Sequence, residues 1–308
     1  MSKGTLSPTP SKSVVTVNWG QGPISFELQS DDADFIGPAA KVFASWPVAD
    51  STRIARRWRV HAVEDNGDNG LERQWEAFVS DPQTGGERSF FRGARAPMMQ
   101  AIEFDAVREL LECPEEILGL HGGLLARDGL NGEHGVALIG PCFAGKSTLS
   151  CALWQSGWSF LGDDVTLFHG DGTAYPAPRR ASLRESSREL VGDELWMRAQ
   201  STPSCDRTPH GLLFHPHETD GRTRPQATRL AAIICLARRG VAAAPAELQK
   251  VNPAQAALAL LPYSNLLQFL TFPEALARMA AIAEVVPVYD LGRGPLPEMI
   301  ARLDTLVA

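Results

Sequence analysis

Residues 135–148 have the types and spacing that bind a phosphate group. They form an apolar run, a loop bounded by Gly140 and Gly145, and the start of a helix pattern, and they match G-x-x-x-x-G-K-[ST], the phosphate-loop pattern. The two glycines allow backbone N–H groups to curl around an anion, and the helix points its positive end at the same anion. Lys146 would contact the terminal phosphates of a nucleotide, and the Ser147 hydroxyl would ligate Mg²⁺. The predicted nucleotide-binding residues are Gly140, Pro141, Cys142, Phe143, Ala144, Gly145, Lys146, Ser147 and Thr148.

Two adjacent aspartates, Asp163 and Asp164, follow this helix at the end of a short strand-like stretch. Phosphoryl transfer needs a metal contact and a group that orients or deprotonates the acceptor, and two neighbouring carboxylates can divide these tasks. An aspartate pair that only caps a turn is the alternative interpretation. Because strand ends near a phosphate loop meet at one edge of the sheet, we favour the functional interpretation.

Arginines follow on an extended stretch downstream, at Arg179, Arg180 and Arg184. A guanidinium group can bind a phosphate with two parallel hydrogen bonds. Arg179 and Arg184 are therefore candidate contacts to the transferred phosphate or to the acceptor, with ordinary surface arginines as the alternative.

The elements around these residues predict an α/β chain of α+β character with two lobes. Residues 1–13 are polar and contain proline, which predicts a disordered tail. The sequence pattern predicts a small α+β lobe over residues 14–112 and the domain that carries the phosphate loop over residues 113–308. Within that domain, residues 201–228 predict the longest irregular segment, and residues 254–270 predict a helix.

The composition is that of an ordinary globular protein. The chain has 308 residues, of which 44% are hydrophobic, and a formal net charge of −7. This acidic balance argues against nonspecific binding to nucleic acid, which depends on neutralising phosphates. No apolar segment is long enough to cross a bilayer, and the N-terminus lacks the apolar core of a secretion signal. We therefore expect a cytoplasmic protein without a nucleic-acid or membrane partner.

An ordered set of short segments resembles a known family. These segments are LHGGL at 120–124, GVALIGP at 135–141, GKSTL at 145–149, GW at 157–158, LGDDV at 161–165, YPAPR at 175–179 and VPVYDL at 286–291. Together they resemble the catalytic domain of HPr kinase/phosphorylase and its kinase-like relatives, whose P-loop core is similar in fold to phosphoenolpyruvate carboxykinases. The resemblance covers roughly residues 115–305.

This resemblance implies a kinase that uses Mg²⁺ and ATP or GTP to phosphorylate a serine hydroxyl on a protein or peptide. It implies that Lys146 and the loop amides bind phosphate and that Ser147 binds Mg²⁺. Asp163 and Asp164 would supply the general base and a metal contact, with Asp164 the preferred metal contact and the base left open. His121 stands where the family has a functional histidine. A homo-oligomer is also implied, as is the tailoring of ribosomally made peptides, including lasso peptides, by some relatives.

The sequence departs from the family pattern at two points. Thr148 replaces a glutamate, and the arginine-bearing phosphorylase signature has no counterpart, which leaves the reverse, phosphate-dependent dephosphorylation open. Two other functions stay open at this stage: a kinase that acts on a small molecule, and a nucleotide-gated peptide-binding module without chemistry.

Overall fold

The computed structural model describes residues 13–18, 25–43, 54–63, 73–80, 85–112, 117–129, 132–177, 179–219, 227–236 and 246–307. The chain divides into two compact units, Met1–Ala106 and Val107–Ala308. The predicted disordered tail lies outside the described residues, except for Ser13. Within the described ranges, no helix is both long and apolar enough to span a membrane.

The first unit contains a five-stranded sheet. The elements that begin in it are β1 (Ser13–Asn18), β2 (Ser25–Ser30), α1 (Ala33–Phe43), β3 (Ile54–Ala62), β4 (Trp75–Ser80), β5 (Glu87–Gly93) and α2 (Arg95–Leu111), the last of which continues into the second unit. The strands follow one another in chain order, and only β2 and β3 are parallel. Residues of β4 alternate between buried and half-buried, because one face of the sheet covers the core. Phe26 and Trp58 form part of this core, with ring centroids 5.6 Å apart.

The second unit is larger and carries the predicted site. Its further elements are β6 (Leu118–Leu120), β7 (Gly122–Gly129), β8 (Gly132–Ile139), α3 (Lys146–Gln155), β9 (Ser159–Gly162), β10 (Thr166–Phe168), β11 (Thr173–Tyr175), β12 (Ala181–Arg184), α4 (Arg188–Gln200), β13 (Asp206–Thr208), β14 (Gly211–Phe214), β15 (Thr228–Leu236), β16 (Leu248–Val251), α5 (Pro253–Leu260), α6 (Phe272–Val285), β17 (Val288–Leu291) and α7 (Leu296–Val307). Nine strands form one mixed sheet, so the unit has the α/β character expected from the sequence.

The direction of the strands brings the predicted site residues to one edge of this sheet. Strands β8, β15 and β17 are parallel, and β9 has the same direction because both β8 and β9 pair antiparallel with β7. The carboxyl ends of parallel strands meet at one edge, where open sheets of this kind bind their ligands. Gly140 directly follows β8 and Asp163 directly follows β9, so both lie at this edge.

Helices cover both faces of the large sheet. Ala137 and Ile139 of β8 face a core that includes residues of α5 and α6. Val136 and Leu138 of the same strand face a second core that includes residues of α3 and α7. Because both faces are buried, the strand reads as a continuous apolar run rather than as an alternating pattern.

The prediction of an irregular segment over residues 201–228 is wrong in part. Strands β13 and β14 lie within it and form a three-stranded antiparallel sheet with β12 in the order β12-β14-β13. Leu212 and Phe214 of β14 are buried in a core that also contains Trp154 and Trp196. These strands have only three and four residues and gain their stability from tertiary burial, which a scan for local patterns does not detect.

The prediction of one helix over residues 254–270 is also wrong in part. Helix α5 ends at Leu260, and two 3-10 turns follow, Leu261–Tyr263 and Leu266–Gln268. Pro262 explains the break, because proline has no N–H for the helical ladder and its ring crowds the preceding turn. Buried Asn265 fixes the chain that follows: its amide oxygen accepts from the Gly119 N–H at 3.0 Å.

Candidate active site

The candidate phosphate loop, residues 140–147, connects β8 to α3. Gly140 has φ +156°, and a Cβ there would lie 2.8 Å from the carbonyl oxygen of Leu236, so a side chain does not fit without movement. Gly145 precedes α3 with φ +100°. Phe143 has φ +66° although it carries a side chain, and its ring is 67% exposed. The loop therefore reverses the chain sharply and leaves the first N–H groups of α3 at the sheet edge.

Backbone groups of the loop take part in its internal bonding. Pro141 accepts a hydrogen bond from the N–H of Ala144 at 3.2 Å, and the carbonyl of Ala144 accepts one from Arg293 at 3.4 Å. The Cys142 thiol is exposed. The two hydrogen bonds of Ala144, one through its N–H and one through its C=O, therefore hold the backbone of the loop.

Lys146 is buried and folds back over the loop. Its Nζ donates to the carbonyl oxygens of Gly140 at 2.8 Å and Pro141 at 3.1 Å. Burial lowers the pKa of Lys146, while the nearby Cys142 thiol and the two aspartates oppose this effect. An ammonium group held in this way lies within the loop, where a phosphate would compensate its charge better than two carbonyl dipoles do.

Asp163 is buried and accepts hydrogen bonds from three groups. The donors are the Ser147 hydroxyl, the backbone N–H of Asp164 at 3.0 Å and the backbone N–H of Ser182 at 3.2 Å. Burial raises the pKa of Asp163, and the hydrogen bond from Ser147 opposes that effect. The structure thus brings together the hydroxyl and the carboxylate that the sequence singled out separately.

Asp164 has a different environment, although it is the next residue. Its backbone has φ +73°, and its side chain is 46% exposed. One carboxylate oxygen lies 3.3 Å from Nδ1 of His121, and the other lies 3.3 Å from the guanidinium of buried Arg179. The Asp164 carbonyl accepts from the N–H of Gly122 at 3.1 Å and also lies 2.9 Å from His121 Nδ1. Asp164 is therefore held from two sides, with its carboxylate open to a ligand.

The segment from β12 to α4 contacts the loop and the start of α3. The guanidinium of Arg184 lies over the ring of Phe143, 4.3 Å from its centroid. Thr148 and Ser187 share a hydrogen bond of 3.0 Å between their hydroxyls. Arg180 faces elsewhere: its guanidinium and the carboxylate of Asp206 form a buried ion pair at 2.6 Å.

Sequence reasoning missed Ser182, Ser187 and Asp206, each of which contacts a site residue or its neighbour. Ser182 acts through its backbone N–H, which has no sequence signal at all. Ser187 and Asp206 lie 39 and 26 residues from their partners, and no motif links them.

Comparison with known proteins adds little to this geometry. No protein-family model matches the chain, and no curated protein matches it. Among solved structures, the chain is similar to the Hpr(Ser) kinase/phosphatase from Coxiella burnetii, with 15% sequence identity and a TM-score of 0.31. The similar region covers 61% of this chain and 96% of that chain. This relation is distant, so the function has to be argued from the site itself.

Proposed function

We propose that the chain is a Mg²⁺-dependent phosphotransferase that moves the γ-phosphoryl group of ATP or GTP to a serine hydroxyl of a peptide or protein. Peptides made by ribosomes, including those of the lasso type, belong to this acceptor class. One observation carries the proposal: Ser147 of the candidate phosphate loop bonds to Asp163, while Asp164 beside it stays open between His121 and Arg179. A phosphate-binding loop, an oxygen-rich metal position and an accessible carboxylate are the parts that this reaction requires.

The loop would bind the phosphates of the nucleotide. Lys146 supplies a positive charge, and the N–H groups at the start of α3 supply donors aligned with the helix dipole. On nucleotide binding, Lys146 would exchange the carbonyls of Gly140 and Pro141 for phosphate oxygens. These contacts hold the triphosphate in place while its terminal group is transferred.

Ser147 and Asp163 fit a magnesium ion. Mg²⁺ prefers oxygen ligands and is usually held by one or two protein groups, with phosphates and waters completing its shell. The described residues include no cluster of three or more His, Cys, Asp or Glu side chains suited to a metal ion. Bound Mg²⁺ would neutralise charge on the phosphates. We therefore assign Asp163 to the metal, in place of the sequence expectation that named Asp164.

Asp164 then has the role of the general base. Its exposed carboxylate can accept the proton of a serine hydroxyl, provided that it is ionised and correctly oriented. His121 and Arg179 contact different oxygens of the carboxylate and so limit its rotation. In the proposed reaction Arg179, paired with Asp164, would also place positive charge near the transferred phosphoryl group and stabilise developing negative charge.

Calorimetry and phosphoryl transfer test the proposal. The chain should bind ATP or GTP in the presence of Mg²⁺, and Lys146→Met should abolish this binding. Asp164→Asn should bind the nucleotide as the wild type does and lose turnover by roughly 10²-fold to 10⁴-fold. Radiolabelled nucleotide, incubated with a serine-peptide library and separately with pooled metabolites, identifies the acceptor through its mass shift.

Each alternative function gives a distinct result. A small-molecule kinase would label metabolites and leave peptides unlabelled. A nucleotide-gated binding module would capture a peptide when nucleotide is bound, and Asp164→Asn would not affect it. Absence of nucleotide binding by folded protein would refute the proposal as a whole.

A further inference from the structure

The three-stranded sheet leaves one edge of β12 without a partner strand. β12 pairs with β14 on one side, and no strand in the described part of the chain pairs with its other side. An open edge presents unpaired backbone N–H and C=O groups, and such groups can bind another chain in extended form. The kind of ligand that this edge could bind depends on the groups that it presents and on the residues beside it.

Two contacts show which residues of β12 face its partner strand. A Cβ on Gly211 of β14 would lie 2.1 Å from the carbonyl oxygen of Leu183, so this carbonyl points toward β14. The N–H of Glu185 donates to the carbonyl of His210 at 3.1 Å, on the same side. Backbone groups alternate in direction along a strand, so those of the intervening residues point toward the open edge.

The outward-facing residues are Ser182 and Arg184. The N–H of Ser182 donates to the Asp163 carboxylate at 3.2 Å, which agrees with this alternation and locates the edge one hydrogen bond from the aspartate pair. The C=O of Ser182 and the N–H of Arg184 continue along the same edge, whereas the C=O of Arg184 caps the 3-10 turn Glu185–Ser187. Both residues are exposed. The edge therefore offers an acceptor and a donor beside the candidate active site.

This mixture of donors and acceptors fits a peptide backbone better than it fits an anion. A phosphate group accepts hydrogen bonds only, so the free Ser182 carbonyl of this edge would repel it. An extended peptide offers N–H and C=O groups in alternation and can satisfy both the Ser182 C=O and the Arg184 N–H. A small metabolite would need a donor and an acceptor spaced as the N–H and C=O groups of a peptide backbone are.

The charge at the edge indicates what the peptide carries. Within the described part of the chain, the guanidinium of Arg184 has no carboxylate partner, and it stacks on the exposed ring of Phe143. An acidic side chain next to the acceptor serine would pair with this guanidinium.

We propose that the open edge of β12 binds the acceptor as an added strand, an extended peptide with a serine and a neighbouring acidic residue. The proposal rests on the proposed kinase function and names its substrate class. The backbone hydrogen bonds would set the register of the peptide and so bring one serine hydroxyl to Asp164. Backbone recognition would also make the enzyme tolerant of sequence away from the serine.

Arg184→Pro, compared with Arg184→Ala, tests the edge. Both variants lose the guanidinium, but only proline removes the outward N–H. Arg184 has φ −75°, which proline adopts, and the preceding residue lies in a strand, where proline is tolerated next to it. The acceptor probe is a library of decapeptides with a central serine and acidic flanks. Both variants should bind MgATP equally, and Arg184→Pro should transfer phosphate to the library about tenfold less efficiently than Arg184→Ala.

A second measurement covers the case in which Arg184→Pro fails to fold. N-methyl groups are placed one at a time along the backbone of the best library peptide, and the wild type is assayed. Transfer should fall at the one position whose N–H donates to the Ser182 carbonyl and not at its two neighbours, because successive N–H groups of an added strand point in opposite directions.

Several results would overturn the inference while leaving the kinase function intact. These are equal peptide transfer by the two variants, weaker MgATP binding by Arg184→Pro than by Arg184→Ala, and no effect of any N-methyl group. Labelling of metabolites alone, or failure of the wild type to bind MgATP, would instead refute the proposed peptide kinase function and the inference with it.

Discussion

Breaking the buried ion pair between Arg180 and Asp206 should cost far more stability than breaking an exposed pair of nearly equal length. The Arg180 and Asp206 side chains are 1% and 11% exposed, and their closest atoms are 2.6 Å apart. In α4, the Arg188 and Asp193 side chains are 44% and 77% exposed, with a separation of 2.8 Å. Both pairs lie in the second unit, so the comparison isolates the effect of burial.

Asp206→Asn removes the carboxylate and leaves the Arg180 charge buried beside a neutral amide. Breaking one partner of a buried pair costs about 3–5 kcal/mol, whereas an exposed pair contributes less than about 1 kcal/mol. At about 2–4 °C per kcal/mol for a unit of this size, Asp206→Asn should lower the Tm by roughly 6–20 °C. Asp193→Asn, the matched control, should lower it by less than about 4 °C.

Thermal denaturation of the full chain, followed by tryptophan fluorescence, measures both effects as shifts in the midpoint Tm. The double variant Arg180→Met with Asp206→Leu should recover most of the loss, because it removes both charges. Equal midpoint shifts for Asp206→Asn and Asp193→Asn would show that burial does not govern these pairs. A double variant no more stable than Asp206→Asn would show that the cost does not come from the buried charge of Arg180.

Three further predictions follow from single contacts. Asp163→Asn should abolish turnover and lower the free energy of unfolding by about 1–3 kcal/mol in urea, because its NH2 group cannot accept the hydrogen bond that one carboxylate oxygen accepts from a backbone N–H. Burial raises the pKa of Asp163, so ionisation of this group opposes folding; as the pH rises above the ordinary aspartate pKa of 3.8, the free energy of unfolding should fall more in the wild type than in Asp163→Asn. Gly140→Ala should weaken MgATP binding in calorimetry by at least about tenfold, because its methyl group would displace the Leu236 carbonyl or the loop. Asn265→Leu should destabilise the chain by about 2–4 kcal/mol in urea, since it leaves the buried N–H of Gly119 without its acceptor.

The position of the site could be predicted from the sequence because its signals are short in range. Gly140, Gly145, Lys146 and Ser147 lie within eight residues of one another, and their pattern needs no tertiary information. Predicting the location of the Asp163–Asp164 pair required one more rule, that parallel strands end at the same edge of a sheet. The strand directions of β8 and β9 satisfy that rule.

The contacts that define the roles of these residues could not be predicted in the same way. The donor of Ser182 is a backbone group, and the partners Arg180 and Asp206 meet only because β12 and β13 both pair with β14. Strands of three or four residues have almost no periodicity to detect. These short strands form because they are buried against α4, and that burial exists only in the folded unit.

The proposed division of labour between the two aspartates rests on their different exposure. Asp163 is buried, whereas the side chain of Asp164 is 46% exposed. The backbone of Asp164 has φ +73°, which takes the chain out of the extended conformation just after β9. Residues with side chains enter this left-handed region at a cost, which is smallest for asparagine and aspartate. Asn at position 164 therefore keeps the turn and removes only the charge, whereas Ala would disturb both. A loss of turnover in Asp164→Asn with an unchanged Tm would thus report on chemistry, and a large fall in Tm would show that the carboxylate maintains the turn itself.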